Sequence, residues 1–263
     1  MQVDYEKHFE SFFNEAADAA GEIALKYFRS GIAVDDKEDR TPVTQADREI
    51  EMRLRELILK RFPDHGIIGE EYGKENESGE FVWVLDPIDG TRSFITGRPL
   101  FGTIIGLTHN GVPAVGMVDQ AFTRERWFGV ADKFCRYNGK PVKVAPPRKL
   151  EAARCYVYLS SRVEGKYYDG FMELGKVVNV IQYNCDCYAY ALLSMGCVDV
   201  VVENGLGGIY DVAGIVPLIT GAGGYASAWN GSAISLSNMD GSFVAASSKE
   251  LAENAVKLVM KYP

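Results

Sequence analysis

Residues 4 to 29 place Phe9, Phe13, Ala16, Ala20, Ile23 and Tyr27 at spacings of three and four, which predicts an amphipathic helix stopped at Gly31. The polar run from Asp35 to Arg40 predicts a loop or short hairpin. Thr44 is placed to cap a second helix that carries Ile50, Leu54, Leu57 and Ile58 on one face and ends before Pro63. Gly66-Ile67-Ile68-Gly69 reads as a short strand running into Glu70 and Glu71. Strand-like runs follow at 81–85, 103–108, 112–118 and 125–130, with Asn110-Gly111 as one of the turns, and they predict a largely antiparallel meander. Farther on, strands are expected at 154–159, 177–181, 198–203 and 242–246, and helices at 164–173, 187–195, 211–221 and 248–260. That alternation points to a layered α/β half. Pro146-Pro147 is the candidate boundary between an N-terminal α+β subdomain, 1–147, and a C-terminal α/β subdomain, 148–263, packed as one functional unit.

Composition narrows the setting. Hydrophobic residues make up 47% of the 263, ample for a sizeable core, and the net charge of −8 argues against non-specific binding of nucleic acid or anionic membranes. It does not argue against a phosphate substrate, because a bound cation dominates its local field. Five scattered cysteines, with Cys185 and Cys187 the one close pair, fit neither a zinc framework nor a disulfide scaffold, and a reducing cytoplasm is expected. No export signal is expected at the charged N-terminus, and no apolar run approaches the roughly 20 residues of a membrane span.

The chemistry concentrates in Trp83-Val84-Leu85-Asp86-Pro87-Ile88-Asp89-Gly90-Thr91, where an apolar strand runs into two carboxylates and a Gly-Thr turn. Burying Asp86 and Asp89 without compensation costs several kcal/mol, on the order of that for any unpaired buried charge. A hard cation such as Mg²⁺ removes that penalty through oxygen ligands. Each acidic residue also has a plain alternative: Glu70 and Glu71 as solvated loop charges, Asp47 as the partner of Thr44 in a capping box, Asp211 as a helix cap. His8, His65 and His109 lie outside the acidic motifs and are expected to pack or face solvent, and the cysteines are expected to be inert.

Four segments together resemble the inositol monophosphatase family of metal-dependent, lithium-sensitive phosphatases: Thr41-Pro42-Val43-Thr44-Gln45-Ala46-Asp47, Gly69-Glu70-Glu71, Asp86-Pro87-Ile88-Asp89-Gly90-Thr91, and Tyr210-Asp211-Val212-Ala213 followed by Gly221-Ala222-Gly223-Gly224. The resemblance covers roughly residues 5 to 260. It implies a five-layered α/β/α/β/α sandwich with a mainly antiparallel first half and a mixed second sheet. It implies one Mg²⁺ on Glu70, Asp86 and the carbonyl of Ile88, a second on Asp86, Asp89 and Asp211, and a loosely bound third ion shared by Glu70, with Mn²⁺ also compatible with the oxygen donors. It implies that Gly90 and Thr91 face the phosphate, where backbone N–H groups at a helix start favour an anion. Thr91 and Asp47, with Glu70, would activate the attacking water for in-line displacement without a covalent phosphoenzyme. A homodimer is expected on the same ground.

For the ester, Arg92 to Thr103 and the run Cys185-Asp186-Cys187-Tyr188-Ala189-Tyr190-Ala191-Leu192-Leu193 are similar to the histidinol-phosphatase branch, as are Tyr210 and Pro217. Histidinol can be cationic, and a carboxylate such as Asp186 at the pocket mouth would attract it. Asp186 can alternatively cap the helix beginning near Cys187. Glu203 resembles the family's substrate-contacting glutamate, although the extra residue in Gly207-Gly208 alters its spacing to Asp211. The expectation is a Mg²⁺-dependent L-histidinol-phosphate phosphatase whose substrate contacts include Asp186, Glu203 and Tyr210. The alternatives are an inositol-1-phosphate or broad sugar-phosphate phosphatase and, more remotely, a non-catalytic scaffold.

Overall fold

The computed structural model describes residues 3–36, 42–159 and 167–262. Thr41, the residues 37–40 of the polar run and the start of the helix expected over 164–173 lie outside the described residues. Two strands, β1 (Val34–Asp36) and β2 (Pro42–Thr44), pair antiparallel, and β1 takes in Asp35 and Asp36 of the polar run. An eight-stranded sheet holds β3 (Gly66–Gly69), β4 (Gly73–Glu75), β5 (Phe81–Asp89), β6 (Gly102–His109), β7 (Val112–Gln120), β8 (Glu125–Val130), β9 (Phe134–Tyr137) and β10 (Lys140–Val142) in the order β10-β9-β8-β7-β6-β5-β3-β4. Its pairs are antiparallel except β3 with β5. A five-stranded mixed sheet holds β11 (Arg154–Val157), β12 (Val180–Tyr183), β13 (Val200–Asn204), β14 (Tyr225–Ser227) and β15 (Ser242–Ala246) in the order β12-β11-β13-β15-β14. There β11 runs parallel to β12 and β13, and β15 antiparallel to β13 and β14.

Helices fill the spaces between and outside the sheets: α1 (Tyr5–Tyr27), α2 (Gln45–Arg61), α3 (Thr91–Ile95), α4 (Tyr168–Val177), α5 (Asp186–Ser194), α6 (Ile215–Gly221) and α7 (Lys249–Met260). The period-two alternation of the strands decides the layers. Ile105 and Leu107 of β6 join α1 and α2 in one apolar cluster, built around Trp83, Phe12 and Phe13, while the preceding Ile104 faces α5 and α6. In the second sheet Val201, Phe243 and Ala245 face α5 and α6, and Val200, Val202, Val244 and Ala246 face α4 and α7. The result is the five-layered α/β/α/β/α sandwich, with α5 and α6 as the filling common to both sheets. Among the described residues no helix is long and apolar enough to cross a membrane.

Several boundaries differ from the pattern reading. The helix expected at 164–173 runs instead over Tyr168–Val177, and the strand expected at 177–181 over Val180–Tyr183. The strand expected to stop at Leu85 continues to Asp89, through a register irregularity between Asp86 and Asp89 against β6. The helix expected over 211–221 is split into a 3₁₀ turn, Ile209–Asp211, and α6, because the chain turns at residues 212–214 before the helix starts. Two of the histidines pack and His8 is exposed: His65 Nδ1 accepts the Trp83 Nε1–H at 3.1 Å and stacks on Phe62, and His109 stacks on Phe81.

Candidate active site

The turn after β3 presents Glu70. It is held by Glu51 of α2, a fully buried carboxylate that accepts the backbone N–H groups of Glu71 at 2.7 Å and Tyr72 at 3.1 Å and the Arg55 Nε–H at 2.9 Å. Gly69 is glycine for want of room, since a Cβ there would lie 1.9 Å from Glu51 Oε1. The bulged end of β5 carries Asp86 and Asp89 to the same edge. Gly90 follows with φ +84°, and its missing Cβ leaves space for the Asp186 carboxylate and the Leu100 carbonyl, each 2.9 Å from where that atom would sit. The 3₁₀ turn then delivers Asp211 from the far half of the chain, its Oδ2 accepting the Gly208 N–H at 2.9 Å.

One oxygen each from Asp86, Asp89 and Asp211 lies within 4.8 Å of the others. Glu70 stands outside this mutual set but hydrogen-bonds the Asp86 side chain. Burial, and then the charges of Glu70, Asp89 and Asp211, push the Asp86 carboxyl well above the usual carboxylate range. Burial, then Asp186 and Asp211, do the same to Asp89, against a hydrogen bond from the Cys187 N–H. Asp86 Oδ1 is buried with no hydrogen-bond partner. A buried, mutually repelling carboxylate set with an orphaned oxygen needs counter-charge, and hard oxygen donors at this spacing suit a divalent cation of the magnesium class. The residues present fit such an ion.

The other expected residues divide. The Thr91 hydroxyl donates to the Ile88 carbonyl at 3.1 Å, which leaves that carbonyl a second lone pair. Asp47 is buried, and burial lifts its carboxyl to about 6 despite bonds from the Thr44 hydroxyl and N–H at 2.6 and 2.8 Å. It completes the capping box of α2 and at the same time feels the charge of Glu70. Among the described residues no hydrogen bond joins Asp47 to Thr91. Asp211 does not cap α6, whose N-cap is Gly214. Nor does Asp186 cap α5: the N–H of Cys187 is taken by Asp89, and Asp186 instead accepts the Ser93 hydroxyl at 3.2 Å.

A cavity of about 250 Å³ opens beside the carboxylates, lined among others by Gly90, Thr91, Asp186, Glu203 and Tyr210, with the Asp186 carboxylate close against Gly90. Burial raises Asp186 to about 6, opposed by the Ser93 bond and by the Arg98 and Arg92 charges. Burial raises Glu203 to about 8, with Asp211 and Asp186 adding to the rise and a 2.7 Å bond from the Tyr190 hydroxyl opposing it. The pocket also takes in Tyr158, which the motif reading passed over, and Arg92 and Tyr190, which it quoted within longer runs without a site role. Tyr190 had a signal, standing one turn after Asp186 on the same helix face. Tyr158 is brought in by β11 from far along the chain and had none.

The comparisons with known proteins agree with this geometry. Residues 6–263 match the model of the inositol monophosphatase family. The chain is 43% identical over 225 residues to the bifunctional phosphatase IMPL2, chloroplastic, of Arabidopsis thaliana, a match that spans 85% of this chain and 65% of that protein. It is 33% identical over 215 residues to the histidinol-phosphatase of Chlorobaculum parvum, covering 80% of this chain and 82% of that one. A solved inositol monophosphatase from Zymomonas mobilis superposes with a TM-score of 0.85 at 35% identity, over 98% of this chain and 99% of that one. Fold, clustered carboxylates and sequence together show that this chain belongs to the inositol monophosphatase family of phosphatases.

Proposed function

We propose that the protein is a divalent-metal-dependent phosphomonoesterase that hydrolyses L-histidinol phosphate to L-histidinol and phosphate. The observation that carries the metal is Asp86 Oδ1, buried and unpartnered among carboxylates within 4.8 Å of one another. Asp86, Asp89 and Asp211 would hold one magnesium ion, and Glu70, Asp86 and the Ile88 carbonyl another. When bound, such ions supply charge neutralisation at phosphorus and a water acidic enough to attack at neutral pH. The chain does the positioning. Gly90 and Thr91 receive the phosphate at the start of α3, and the Thr91 hydroxyl fixes the Ile88 carbonyl. Asp47, braced by Thr44 and within reach of the Glu70 charge, would with Thr91 orient the attacking water. The halves 1–147 and 148–263 act as one unit, because residues of both line the same cavity.

The choice of ester rests on charge at the alcohol end. Asp186 is already faced by Arg98 and Arg92, so its pull on a substrate cation is weakened. Glu203 accepts the Tyr190 hydroxyl and feels the charges of Asp211 and Asp186. A substrate ammonium or imidazolium there would restore its negative charge, whereas a neutral polyol would not. The relative from Chlorobaculum parvum, a histidinol-phosphatase, supports the same reading. A second reading, inositol 1-phosphate, is favoured by the likeness to the Zymomonas mobilis inositol monophosphatase. Kinetics on both esters with magnesium separate them: a higher kcat/KM for inositol 1-phosphate would overturn the first. Asp89→Asn is expected to abolish hydrolysis of p-nitrophenyl phosphate while leaving the melting transition cooperative. Near-normal turnover in that variant would overturn the metal assignment.

A further inference from the structure

We infer that Tyr190 is a positioning residue for ester selection: it aims Glu203 at the alcohol half of the substrate. The inference rests on the proposed placement of phosphate at Gly90–Thr91 and alcohol at Glu203.

Glu203 sits near the end of β13, and Tyr190 sits on α5, in the layer beneath it. The Tyr190 hydroxyl donates to Glu203 Oε2 at 2.7 Å. The ring that carries this hydroxyl is 3% exposed and packs against Phe243 of β15 with centroids 5.3 Å apart. Phe243 is itself fully buried and pairs with Glu203 across the two strands. The donor is therefore held by core packing on one side, and the acceptor is held by the sheet on the other. A glutamate has three rotatable bonds, and without a partner its carboxylate samples several directions across a cavity of about 250 Å³. The tyrosine bond removes that freedom before substrate arrives and occupies Oε2, so that Oε1 is left for the ester.

This arrangement differs from a purely structural tyrosine in its reach. Tyr190 lies on the same helix as Asp186, whose carboxylate touches Ser93 beside the phosphate turn. One helix thus carries both Asp186 beside the phosphate turn and the tyrosine that fixes Glu203 of β13. Loss of the hydroxyl alone leaves the ring and its packing on Phe243 in place, so selection should suffer more than folding.

The test is a double-mutant cycle of Tyr190→Phe and Glu203→Gln, each variant assayed with magnesium on L-histidinol phosphate, inositol 1-phosphate and p-nitrophenyl phosphate. The preferred ester of the wild type decides the substrate reading. The cycle is then read on that preferred ester, so the two ideas fail separately. Tyr190→Phe is expected to lower its kcat/KM about tenfold, mainly through KM, a change of about 1.4 kcal/mol. The ratio of that kcat/KM to the value for p-nitrophenyl phosphate should fall with it. In the Glu203→Gln background the same change should cost less than about twofold, because the residue works through Glu203. Equal losses in both backgrounds, or an unchanged ratio between esters, would overturn the inference. A change in melting temperature without a change in that ratio would also overturn it.

Discussion

Neutralising Asp86 should make the metal-free protein more stable and deaf to magnesium. The Asp86, Asp89 and Asp211 oxygens lie within 4.8 Å of one another. At an effective dielectric constant of about 20, two unit charges at that separation repel by about 3 kcal/mol. Proton uptake relieves part of this, since burial and neighbouring charges already drive Asp86 toward its neutral form. The relief left for Asp86→Asn to supply is about 1–2 kcal/mol, which in a chain of this size raises Tm by roughly 2–8 °C. In the wild type, magnesium at about 100 times its Kd should add about 2.7 kcal/mol, or roughly 5–10 °C. The assay is calorimetric melting of both proteins near neutral pH, first in excess chelator and then with magnesium. The two proteins should exchange rank: the variant melts higher in chelator, the wild type higher with the metal. If Asp86→Asn melts lower in chelator and still gains stability from magnesium, the carboxylate is a structural charge and the reasoning is wrong.

Two more expectations follow from the same geometry. Gly69→Ala puts a methyl group 1.9 Å from Glu51 Oε1, so the turn carrying Glu70 must move; magnesium affinity by titration calorimetry should fall at least tenfold, and an unchanged affinity would show that the turn is not held by Glu51. Asp199 is fully buried and takes bonds from the Arg154 N–H, Nε and Nη2 at 2.8–2.9 Å. Burial disfavours its charge, but the Arg154 bonds prevail and hold its carboxyl below the usual 3.8. Because the folded pKa is the lower one, its stabilisation is complete above about 3.8 and is lost as pH falls through the folded value. Asp199→Asn should therefore cost about 1–3 kcal/mol at neutral pH in urea melts, and the gap to wild type should close in strong acid. A gap that persists unchanged there would refute the charge assignment.

Long amphipathic runs were readable because burial imposes the pattern. Phe9, Phe13, Ala16 and Ala20 mark α1, and all of them are buried in the helix as built. The alternation of Val200, Val201 and Val202 between two clusters is the same signal in a strand. Short edge strands left no trace. In β4 every residue is exposed, and β10 is nearly as open, so neither has an apolar face to announce it. β12 is mostly exposed as well, and its expected position was off by several residues. At the site, Asp86 and Asp89 stood out because carboxylates at the end of an apolar run are conspicuous, whereas Glu70, Asp47 and Asp211 entered as site residues only with the family resemblance. Their partners were not legible. That Asp89 rather than Asp186 would take the Cys187 N–H depends on how β5 meets α5 in space, and no local pattern carries that. The same holds for the arginines that face Asp186 and for the buried Glu51 beneath the Glu70 turn.

Asp211 is the one member of the three-carboxylate cluster contributed from beyond residue 147, while Asp186, Glu203 and Tyr210 beside it all come from that later stretch. Under the proposed assignment, the residues for hydrolysis and those for the alcohol come from largely separate stretches of chain, joined at Asp211. On that assignment, substitution in the later stretch away from Asp211 and Asp186 would exchange one alcohol for another while the end that cleaves is kept. A lineage built this way can change its diet while keeping its teeth.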